Sequence, residues 1–448
     1  MKILVVNGSP KGEGSITLQT VRYLEKRYPQ HGFDVLHVGQ RIKSLEKDFT
    51  PALRALEAAE LVLFCYPVYT FLAPAQLHRF IELLYAHRES VSGLMASQIT
   101  TSKHFYDVTA HRYIEDNCHT LGMRVVSGLS ADMEDLTCPR GQKEAEAFFE
   151  RLIFEAENGL FERDARPAAA YKPVPATPAQ IFPDNKEGSV VIVADLAPGD
   201  RQLSAMIDRL RAKLPQRSSV INLREFPFGG GCLGCFHCAG DGTCVYKDGF
   251  DRFLRERIQT AQATVYAFSI REHSMGALMK LYDDRQFCNG HRTVTMGMPV
   301  AYLVSGAYSA ETNLQTVVSA RAQVGGNPLC GVATDESDTD AQIDRLAAKL
   351  DYAIRSGYTQ PQNFYGVGGM KIFRDLIWQM RGMMRADHKF YKAHGQYDFP
   401  QRHWLKALAM YLVGFMNTPK MRRKLGGKMT EGMLMPYQKV LKSVTPKK

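Results

Sequence analysis

The 448-residue chain uses one alternation of short apolar runs and amphipathic stretches twice. Val190–Val193 matches the apolar run Ile3–Val6 at an offset of 187 residues, and Ala261–Tyr266 matches Ala59–Phe64 at an offset of 202. Continuous apolar runs separated by amphipathic helices are typical of parallel sheets that are covered by helices on both faces. The sequence therefore predicts two copies of one α/β fold, each with a doubly wound parallel sheet.

The first copy contains five predicted strands with helices between them. The predicted strands are Ile3–Val6, Phe33–Val38, Leu61–Cys65, Gly93–Thr100 and Met123–Leu129. The predicted helices include Ser15–Tyr28, Pro74–Tyr85 and Tyr106–Leu121. The second copy is longer between its two matching runs, and the extra length falls where Gly229–Asp248 lies, with four cysteines.

The predicted organisation has four parts: an α/β domain over 1–162, a linker over 163–188, a second α/β domain over 189–358, and a helical tail over 359–448. The linker is rich in Pro and Ala, which favours an extended segment. The tail holds ten of the 19 methionines, with helical stretches near Lys371–Met384 and His403–Met416.

The charge of the chain is concentrated in that tail. Residues 361–448 contain 17 Lys and Arg against 4 Asp and Glu, a net charge of +13, whereas the rest of the chain carries −3. A basic balance confined to one end does not indicate nucleic-acid binding by the body. The N-terminus has four apolar residues before a turn, and the longest apolar run, Ala407–Met416, is too short to span a bilayer. We therefore expect a cytoplasmic protein.

The loop after the first strand has the composition of a phosphate site. Asn7–Thr17 is rich in Gly, Ser and Thr and lies between a buried strand and a helix N-terminus. Backbone N–H groups, hydroxyls and the helix dipole all favour an anion there. The loop is neither GxGxxG nor GxxxxGK[ST], which disfavours a dinucleotide-binding Rossmann site and a P-loop. The alternative is a polar connecting loop.

Two further loops are predicted to meet the phosphate loop, because ligands of open α/β sheets bind outside the carboxyl ends of the strands. Tyr66–Phe71 follows the third strand, and Thr100–Tyr106 follows the fourth. Together the three loops offer phosphate donors, aromatic walls and hydroxyls, which suits a mononucleotide with a flat ring. Tyr69, His104 and Tyr106 are candidate catalytic donors to the ring or to the substrate. No nucleophile triad or paired carboxylate is apparent, which disfavours hydrolysis.

These three segments resemble those of the flavodoxin-like NAD(P)H-dependent FMN reductase and quinone reductase superfamily, and the resemblance covers residues 1 to about 160. It implies a flavodoxin-like fold, FMN as the cofactor and NAD(P)H as a co-substrate. It implies that the FMN phosphate binds Ser9, Lys11, Ser15 and Thr17. It also implies that the isoalloxazine lies near Pro67, Val68, Tyr69 and Phe71, with Thr101, Ser102 and His104 alongside.

Four cysteines form a compact motif in the second copy. Cys232, Cys235, Cys238 and Cys244 have the spacing C-x2-C-x2-C-x5-C. Four converging thiolates suit an iron–sulfur cluster, whereas structural zinc usually takes two separated pairs. The spacing resembles that of the iron–sulfur flavoproteins, which implies a [4Fe–4S] cluster, although free or redox-active thiols and zinc remain alternatives. The second copy itself is predicted to lack FMN, because Asp195 and Asp200 would repel a phosphate.

The sequence therefore predicts an FMN-dependent oxidoreductase that passes electrons from NAD(P)H or a reduced carrier to a quinone-like or small organic acceptor, with the cluster as a relay. The alternative is an electron carrier or redox sensor without a small-molecule substrate. We expect a homo-oligomer or an internal pseudo-dimer, and no nucleic-acid partner. The basic tail is predicted to be a solvated appendage, a surface for an anionic membrane, or a docking face for a ferredoxin-like carrier.

Overall fold

The computed structural model describes residues 1–166, 170–178, 189–415, 418–420 and 428–444. Two stretches of the predicted linker, 167–169 and 179–188, lie outside the described residues, as do parts of the predicted tail. The chain forms two compact units, Met1–Phe390 and Tyr391–Lys448. The first unit contains both α/β domains.

Each α/β domain is built on a parallel sheet. The first sheet consists of β1 (Lys2–Asn7), β2 (Gly32–Leu36), β3 (Leu61–Pro67), β4 (Met95–Ser102), β5 (Arg124–Val125) and β6 (Leu129–Asp132). The second consists of β7 (Val190–Ala194), β8 (Ser218–Asn222), β9 (Ala263–Ser269), β10 (Val300–Ser305) and β11 (Leu329–Thr334). The orders are β2-β1-β3-β4-β5, with β6 also beside β4, and β8-β7-β9-β10-β11. Both follow the flavodoxin-like strand order, so the predicted fold class is confirmed.

Helices connect the strands and form the C-terminal part of the chain. Those of the first domain are α1 (Ile16–Arg27), α2 (Val38–Leu45), α3 (Thr50–Glu57), α4 (Ala75–Tyr85), α5 (Asp107–Thr120) and α6 (Pro139–Glu157). Those of the second are α7 (Arg201–Lys213), α8 (Cys238–Asp241), α9 (Phe250–Phe253), α10 (Gly276–Arg285), α11 (Thr312–Gly325) and α12 (Thr339–Ser356). They are followed by α13 (Phe364–Gln379), α14 (Arg385–Ala393), α15 (Trp404–Phe415) and α16 (Lys428–Ser443).

The two α/β domains share one apolar core. Phe64 and Leu77 of the first domain and Phe250 and Tyr282 of the second belong to the same buried cluster. Alternate residues of a strand point to opposite faces, so each sheet also has a second core on its other face. The helices α4 and α10, which follow the equivalent strands β3 and β9, pack directly on each other.

Helix α13 begins at Phe364, seven residues before the predicted helical stretch. The Asn363 side chain accepts a hydrogen bond from the Tyr365 N–H at 2.9 Å, which caps the helix. Gly366 and Gly369 of this helix are packing positions. A Cβ at Gly366 would lie 2.8 Å from the Gln323 carbonyl oxygen, and one at Gly369 would lie 2.7 Å from Val324. Glycine therefore lets α13 approach α11 closely.

Candidate functional site

The loop after β1 is fixed by hydrogen bonds from its own side chains. Buried Asn7 donates to the Gly12 carbonyl at 3.0 Å and accepts from the Ser9 N–H at 3.1 Å. Ser15 caps α1, and its hydroxyl accepts from the Leu18 N–H at 3.4 Å. These bonds leave the unpaired N–H groups at the start of α1 at the end of the loop, where the helix dipole favours an anion.

All four residues predicted to bind the FMN phosphate lie together at this helix start. They line one cavity of about 380 Å³: Ser9, Lys11, Ser15 and Thr17. The Thr17 hydroxyl shares a buried hydrogen bond of 2.6 Å with the Thr101 hydroxyl, which joins the phosphate loop to the end of β4. Hydroxyls and one ammonium group at a helix N-terminus are a donor set that fits a phosphate.

The predicted isoalloxazine loop is a strained turn after β3. The Tyr69 N–H donates to the Leu72 carbonyl at 2.8 Å, and the Leu72 N–H donates back to Tyr69 at 3.0 Å. Between them Thr70 and Phe71 adopt positive φ values of 39° and 74°. Non-glycine residues in this region are strained and need support from their surroundings.

That support comes from the second domain. The Lys280 ammonium donates to the Tyr69 carbonyl at 2.8 Å and to the Thr70 hydroxyl at 2.7 Å. It is paired with Asp284, which accepts from the Thr70 hydroxyl at 2.5 Å and from the Ala75 N–H at 2.8 Å. Both charged side chains are fully buried. A residue pair on α10 therefore holds the turn over residues 69–72 of the other domain. Because this turn is the predicted isoalloxazine loop, we call it the flavin turn.

The walls of the cavity include six of the seven residues that the resemblance implied for the ring, all except His104. They are Pro67, Val68, Tyr69, Phe71, Thr101 and Ser102. Burial, followed by the nearby Cys232 and Asp284, raises the pKa of Tyr69 well above its usual value. The Tyr69 hydroxyl therefore remains a donor at every physiological pH.

The other two candidate catalytic residues do not line the cavity. His104 shares a hydrogen bond of 2.8 Å with Asp107, and its side chain is about half exposed. Burial opposes ionisation of Asp107, but hydrogen bonds from Ser130 and His104 hold its pKa below the usual value. The Tyr106 hydroxyl donates to the Tyr365 carbonyl at 2.7 Å. Among the three predicted catalytic donors, only Tyr69 lines the cavity.

The segment over residues 229–248, which we call the cysteine loop, lines the same cavity from the second domain. All four cysteines of the motif line it, as does Cys288. Gly234 packs against the tip of Tyr69 so closely that a Cβ there would lie 1.9 Å from the Tyr69 hydroxyl oxygen. The Lys11 ammonium lies 5.3 Å from the centre of the Phe236 ring, a cation–π contact. The loop thus contacts both the phosphate end and the ring end of the flavin site.

The nine cysteines, all within the described residues, are free. Burial raises the pKa of Cys232 well above its usual value, that of Cys238 to about 11 and that of Cys288 to about 12. Within the described residues, no set of three or more His, Cys, Asp or Glu side chains is arranged to hold a metal ion. Four thiols on one wall of the cavity suit an iron–sulfur cluster chemically, and burial, which raises the pKa of Cys232 and Cys238, favours the protonated form of these two.

Several residues of the cavity wall lie outside the first domain, and the sequence of that domain could not predict them. Phe287 and His291 come from the second domain and Phe373 from α13. The Phe373 ring stacks on Phe105 with the ring centres 4.3 Å apart and meets His291 edge-on at 4.7 Å. These rings close the side of the cavity that the strands of the first domain leave open.

The equivalent crevice of the second domain is filled by the protein itself. The Ser269 hydroxyl donates to the Asp200 carboxylate at 2.8 Å, and Arg224 pairs with Asp195 at 2.8 Å. Residues 170–178 of the predicted linker cross this edge of the second sheet, and Ala176 is buried there. These contacts give Asp195 and Asp200 protein partners, and the absence of FMN from the second domain stays a prediction.

The linker segment is held by hydrogen bonds at the carboxyl edge of the second sheet. The Tyr171 hydroxyl donates to Asp335 at 2.8 Å, just after β11. The Thr339 hydroxyl, in the first turn of α12, donates to the Val174 carbonyl at 2.7 Å. The Gln202 side chain, at the start of α7, donates to the same carbonyl at 3.1 Å. A composition rich in Pro and Ala predicted an extended linker and gave no sign of this docking.

Three solved structures are similar to part of the chain. NAD(P)H:quinone oxidoreductase from Methanothermobacter marburgensis is 11% identical, with a TM-score of 0.27, covering 37% of this chain and 98% of that one. The NAD(P)H:acceptor oxidoreductase from Paracoccus denitrificans is 18% identical (TM-score 0.29; 34% and 97% covered). General stress protein 14 from Treponema denticola, solved with FMN, is 10% identical (TM-score 0.29; 34% and 98% covered).

No curated protein matches the chain. Residues 1–134 match the family model described as NADPH-dependent FMN reductase. The match lies on the segment that carries the phosphate loop, the turn after β3 and the end of β4. It confirms, for the first domain, the predicted resemblance to NAD(P)H-dependent FMN reductases and the prediction of a flavin-dependent oxidoreductase.

Proposed function

We propose that the chain is an FMN-dependent oxidoreductase that takes electrons from NAD(P)H or a reduced carrier and passes them to a quinone-like or small organic acceptor. The observation that carries this proposal is the single cavity at the ends of β1, β3 and β4, which joins a phosphate-type helix start to an aromatic chamber. The family match over residues 1–134 supports the same cofactor.

The residues of the chain have separate tasks in this reaction. Ser9, Lys11, Ser15 and Thr17 bind the phosphate, while the turn around Tyr69 positions the ring. When bound, FMN supplies the capacity to accept a hydride and to release electrons singly or in pairs. The cysteine loop and α13 exclude water from the chamber, and the Tyr69 hydroxyl is available to donate a hydrogen bond inside it.

The aromatic lining supports a flat, largely apolar acceptor. Phe105, Phe287, Phe373 and His291 lie on the cavity wall. Aromatic faces and edges favour offset or edge-on packing against another ring system, which suits a quinone better than an aliphatic substrate.

We propose that Cys232, Cys235, Cys238 and Cys244 hold a [4Fe–4S] cluster, which would supply a one-electron relay beside the flavin. The support is the motif and its position on the cavity wall. Burial raises the pKa of Cys232 and Cys238, so a bound metal would have to provide the charge that ionises these two thiols. Iron and sulfide analysis of anaerobically purified protein tests this. Cys235→Ser should abolish both contents, and Cys330→Ser, outside the cavity, should leave them unchanged. Zinc, or no metal at all, would contradict the cluster.

The proposed function itself is tested by flavin content and turnover. Purified protein should contain FMN and oxidise NAD(P)H in the presence of a soluble quinone. Removing two phosphate-site hydroxyls by Ser9→Ala and Thr17→Val should weaken FMN binding about 10- to 100-fold, since each lost hydrogen bond costs about 1 kcal/mol. Ser204→Ala, which removes a hydroxyl in the first turn of α7 in the second domain, is the control. Bound FMN without turnover would indicate an electron carrier, and protein that binds no FMN would exclude both functions.

A further inference from the structure

The unit Tyr391–Lys448 carries the entire net charge of the chain. It contains 12 Lys and Arg against 2 Asp and Glu, a net charge of +10, whereas residues 1–390 contain 44 of each sign. A body without net charge gives no electrostatic reason for association, but a basic segment of this density attracts an anionic partner.

Helix α15 presents an apolar stripe to the solvent. Its exposed large apolar side chains are Trp404, Leu405, Leu408, Tyr411 and Leu412, which are 46–72% accessible. The spacing i, i+1, i+4, i+7, i+8 places them on one face of the helix. A contiguous exposed stripe of this kind marks an interaction surface, since single exposed apolar residues are ordinary but a whole exposed face is not.

Helix α16 repeats this arrangement. Leu434, Tyr437, Leu441 and Val444 are 48–73% accessible and recur every three or four residues through the helix and just beyond its end. Within the described residues, none of the helices is long and apolar enough to cross a membrane. Both helices are therefore suited to lying along an interface between water and an apolar phase. Each has exposed apolar side chains, and the segment that contains them is basic.

We propose that Tyr391–Lys448 binds the surface of an anionic lipid bilayer, with the stripes of α15 and α16 inserted at the level of the headgroups. Charge and apolar exposure together select this partner. Apolar insertion alone gives weak, reversible binding, and attraction between basic residues and anionic headgroups supplies the second signal. Trp404, Tyr411 and Tyr437 are of the residue types that favour the membrane–water boundary.

The other occupants of this surface fit the observations less well. A second copy of the chain would bring two segments of charge +10 together, which repel each other. An acidic carrier protein would satisfy the charge but leave two apolar stripes unexplained. The same holds for a nucleic acid, whose binding to a protein is dominated by contacts to phosphates.

The test uses the full chain and two kinds of vesicle, one of phosphatidylcholine alone and one that also contains phosphatidylglycerol. We expect co-sedimentation with the anionic vesicles, weakened by high salt. Leu408→Glu combined with Leu412→Glu should reduce this binding about tenfold or more, because two charges then enter the apolar face. Phe154→Glu combined with Leu160→Glu places the same charges at exposed apolar positions of the first unit and should bind as the unmodified chain does.

Three results would overturn the proposal. The chain could fail to sediment with anionic vesicles, or the Leu408/Leu412 variant could bind them as well as the control variant. A third is a stable dimer at low salt, in analytical ultracentrifugation, that the Leu408/Leu412 variant dissociates, since the stripes would then be covered by a second copy. Circular dichroism of both variants checks that the helices are retained.

Discussion

The turns that follow β3 and β9 can be compared residue by residue, because they stand 202 positions apart. The second turn repeats the backbone of the first: Glu272 and His273 have positive φ values of 46° and 59°. Arg271 and Ser274 exchange backbone hydrogen bonds of 3.0 and 2.9 Å across it. Both domains have this backbone conformation although the side chains differ at all four positions, Tyr-Thr-Phe-Leu in the first turn and Arg-Glu-His-Ser in the second.

The supports of the two turns are reciprocal. Asp284 of α10 accepts from the Ala75 N–H at 2.8 Å, and Glu82 of α4 accepts from the Ala277 N–H at 2.7 Å. The symmetry breaks at the position four residues before each carboxylate. On α10 this is Lys280, which reaches the flavin turn, whereas on α4 it is His78, which stacks on Tyr113 with the ring centres 4.0 Å apart.

The environment of His78 explains why it cannot replace a lysine. Burial, with a smaller contribution from Lys280, lowers the pKa of His78 well below its usual value, so it is neutral. A buried cation therefore supports the turn of the flavin domain and not the turn of the second domain. The two domains therefore share the same turn conformation but differ in the charge of the helix side chain at the position of Lys280 and His78.

The largest effect is expected when the buried ion pair between Lys280 and Asp284 is removed. Asp284→Asn removes one partner of a buried ion pair and leaves Lys280 uncompensated, so the free energy of unfolding should fall by about 3–5 kcal/mol. FMN binding should weaken too, because Thr70 and Ala75 lose a partner. Glu82→Gln, the reciprocal change, involves a carboxylate that pairs with a part-exposed Arg79 and should cost only about 1 kcal/mol.

Urea denaturation of both variants, with FMN fluorescence as a second readout, measures this difference. Equal losses for Asp284→Asn and Glu82→Gln would mean that the buried cation gives the flavin turn no special support.

A second prediction concerns the contact between Gly234 and Tyr69. Gly234→Ala should destabilise the cysteine loop by about 1–3 kcal/mol, since the new Cβ meets the Tyr69 hydroxyl and the residue has a φ of +60°. Gly240→Ala is the matched control in the same loop, because nothing lies within 4 Å of its Cβ position. Faster alkylation of the loop thiols in Gly234→Ala alone would show the opened cavity, and equal rates in both variants would contradict the close contact.

A third prediction is a pH dependence from the pair that anchors the cysteine loop. Burial opposes ionisation of Asp248, but hydrogen bonds from Arg285 and from the Gly229 and Phe250 N–H groups lower its pKa to about 2. Because the folded pKa lies below the unfolded value, the stabilisation is present above about pH 4 and is lost as the pH falls towards 2.

The loss between pH 5 and pH 3 should therefore be about 1 kcal/mol smaller in Asp248→Asn than in the unmodified chain. Denaturant titrations at the two pH values measure it. Asp195 of the second crevice has its pKa raised by burial despite its pairing with Arg224, so Asp195→Asn should not show this acid-side difference.

The smallest expected effect tests the filled crevice. Tyr171→Phe removes one hydrogen bond to Asp335, at an expected cost of about 1 kcal/mol, and the FMN content should remain one per chain. Asp195 and Asp200 are still expected to repel a phosphate from the crevice of the second domain. A second equivalent of FMN, seen by calorimetric titration, would show that the linker segment alone blocks that site.

The alternation of apolar runs was sufficient to predict both sheets and the strand ends at which the cavity lies. Ser9, Thr17 and Tyr69 could be placed beside one another because the carboxyl ends of parallel strands meet at one edge. Lys280 and Asp284 could not be found in this way. Charged residues on a helix are expected to face the solvent when the helix is considered alone. Lys280 and Asp284 are buried because α10 packs in the core that the two domains share.

The same reason applies to residues 170–178 and to α13. The position of an extended segment or of a glycine-containing helix is decided by the surface on which it packs, and the surface belongs to elements distant in the sequence. The helix around Phe373 was predicted, but its place in the cavity wall depends on contacts with Phe105 and His291.

The covalent connection of the two α/β domains has a consequence for how the site can change. In a pair of identical subunits every substitution occurs twice, so a lysine introduced to hold one turn would also replace the histidine that packs beside the other. Here position 280 and its equivalent at 78 vary independently. One half can therefore carry the lysine that holds the turn of the other half while the histidine stays in place, and a mutation at either position tests one role alone.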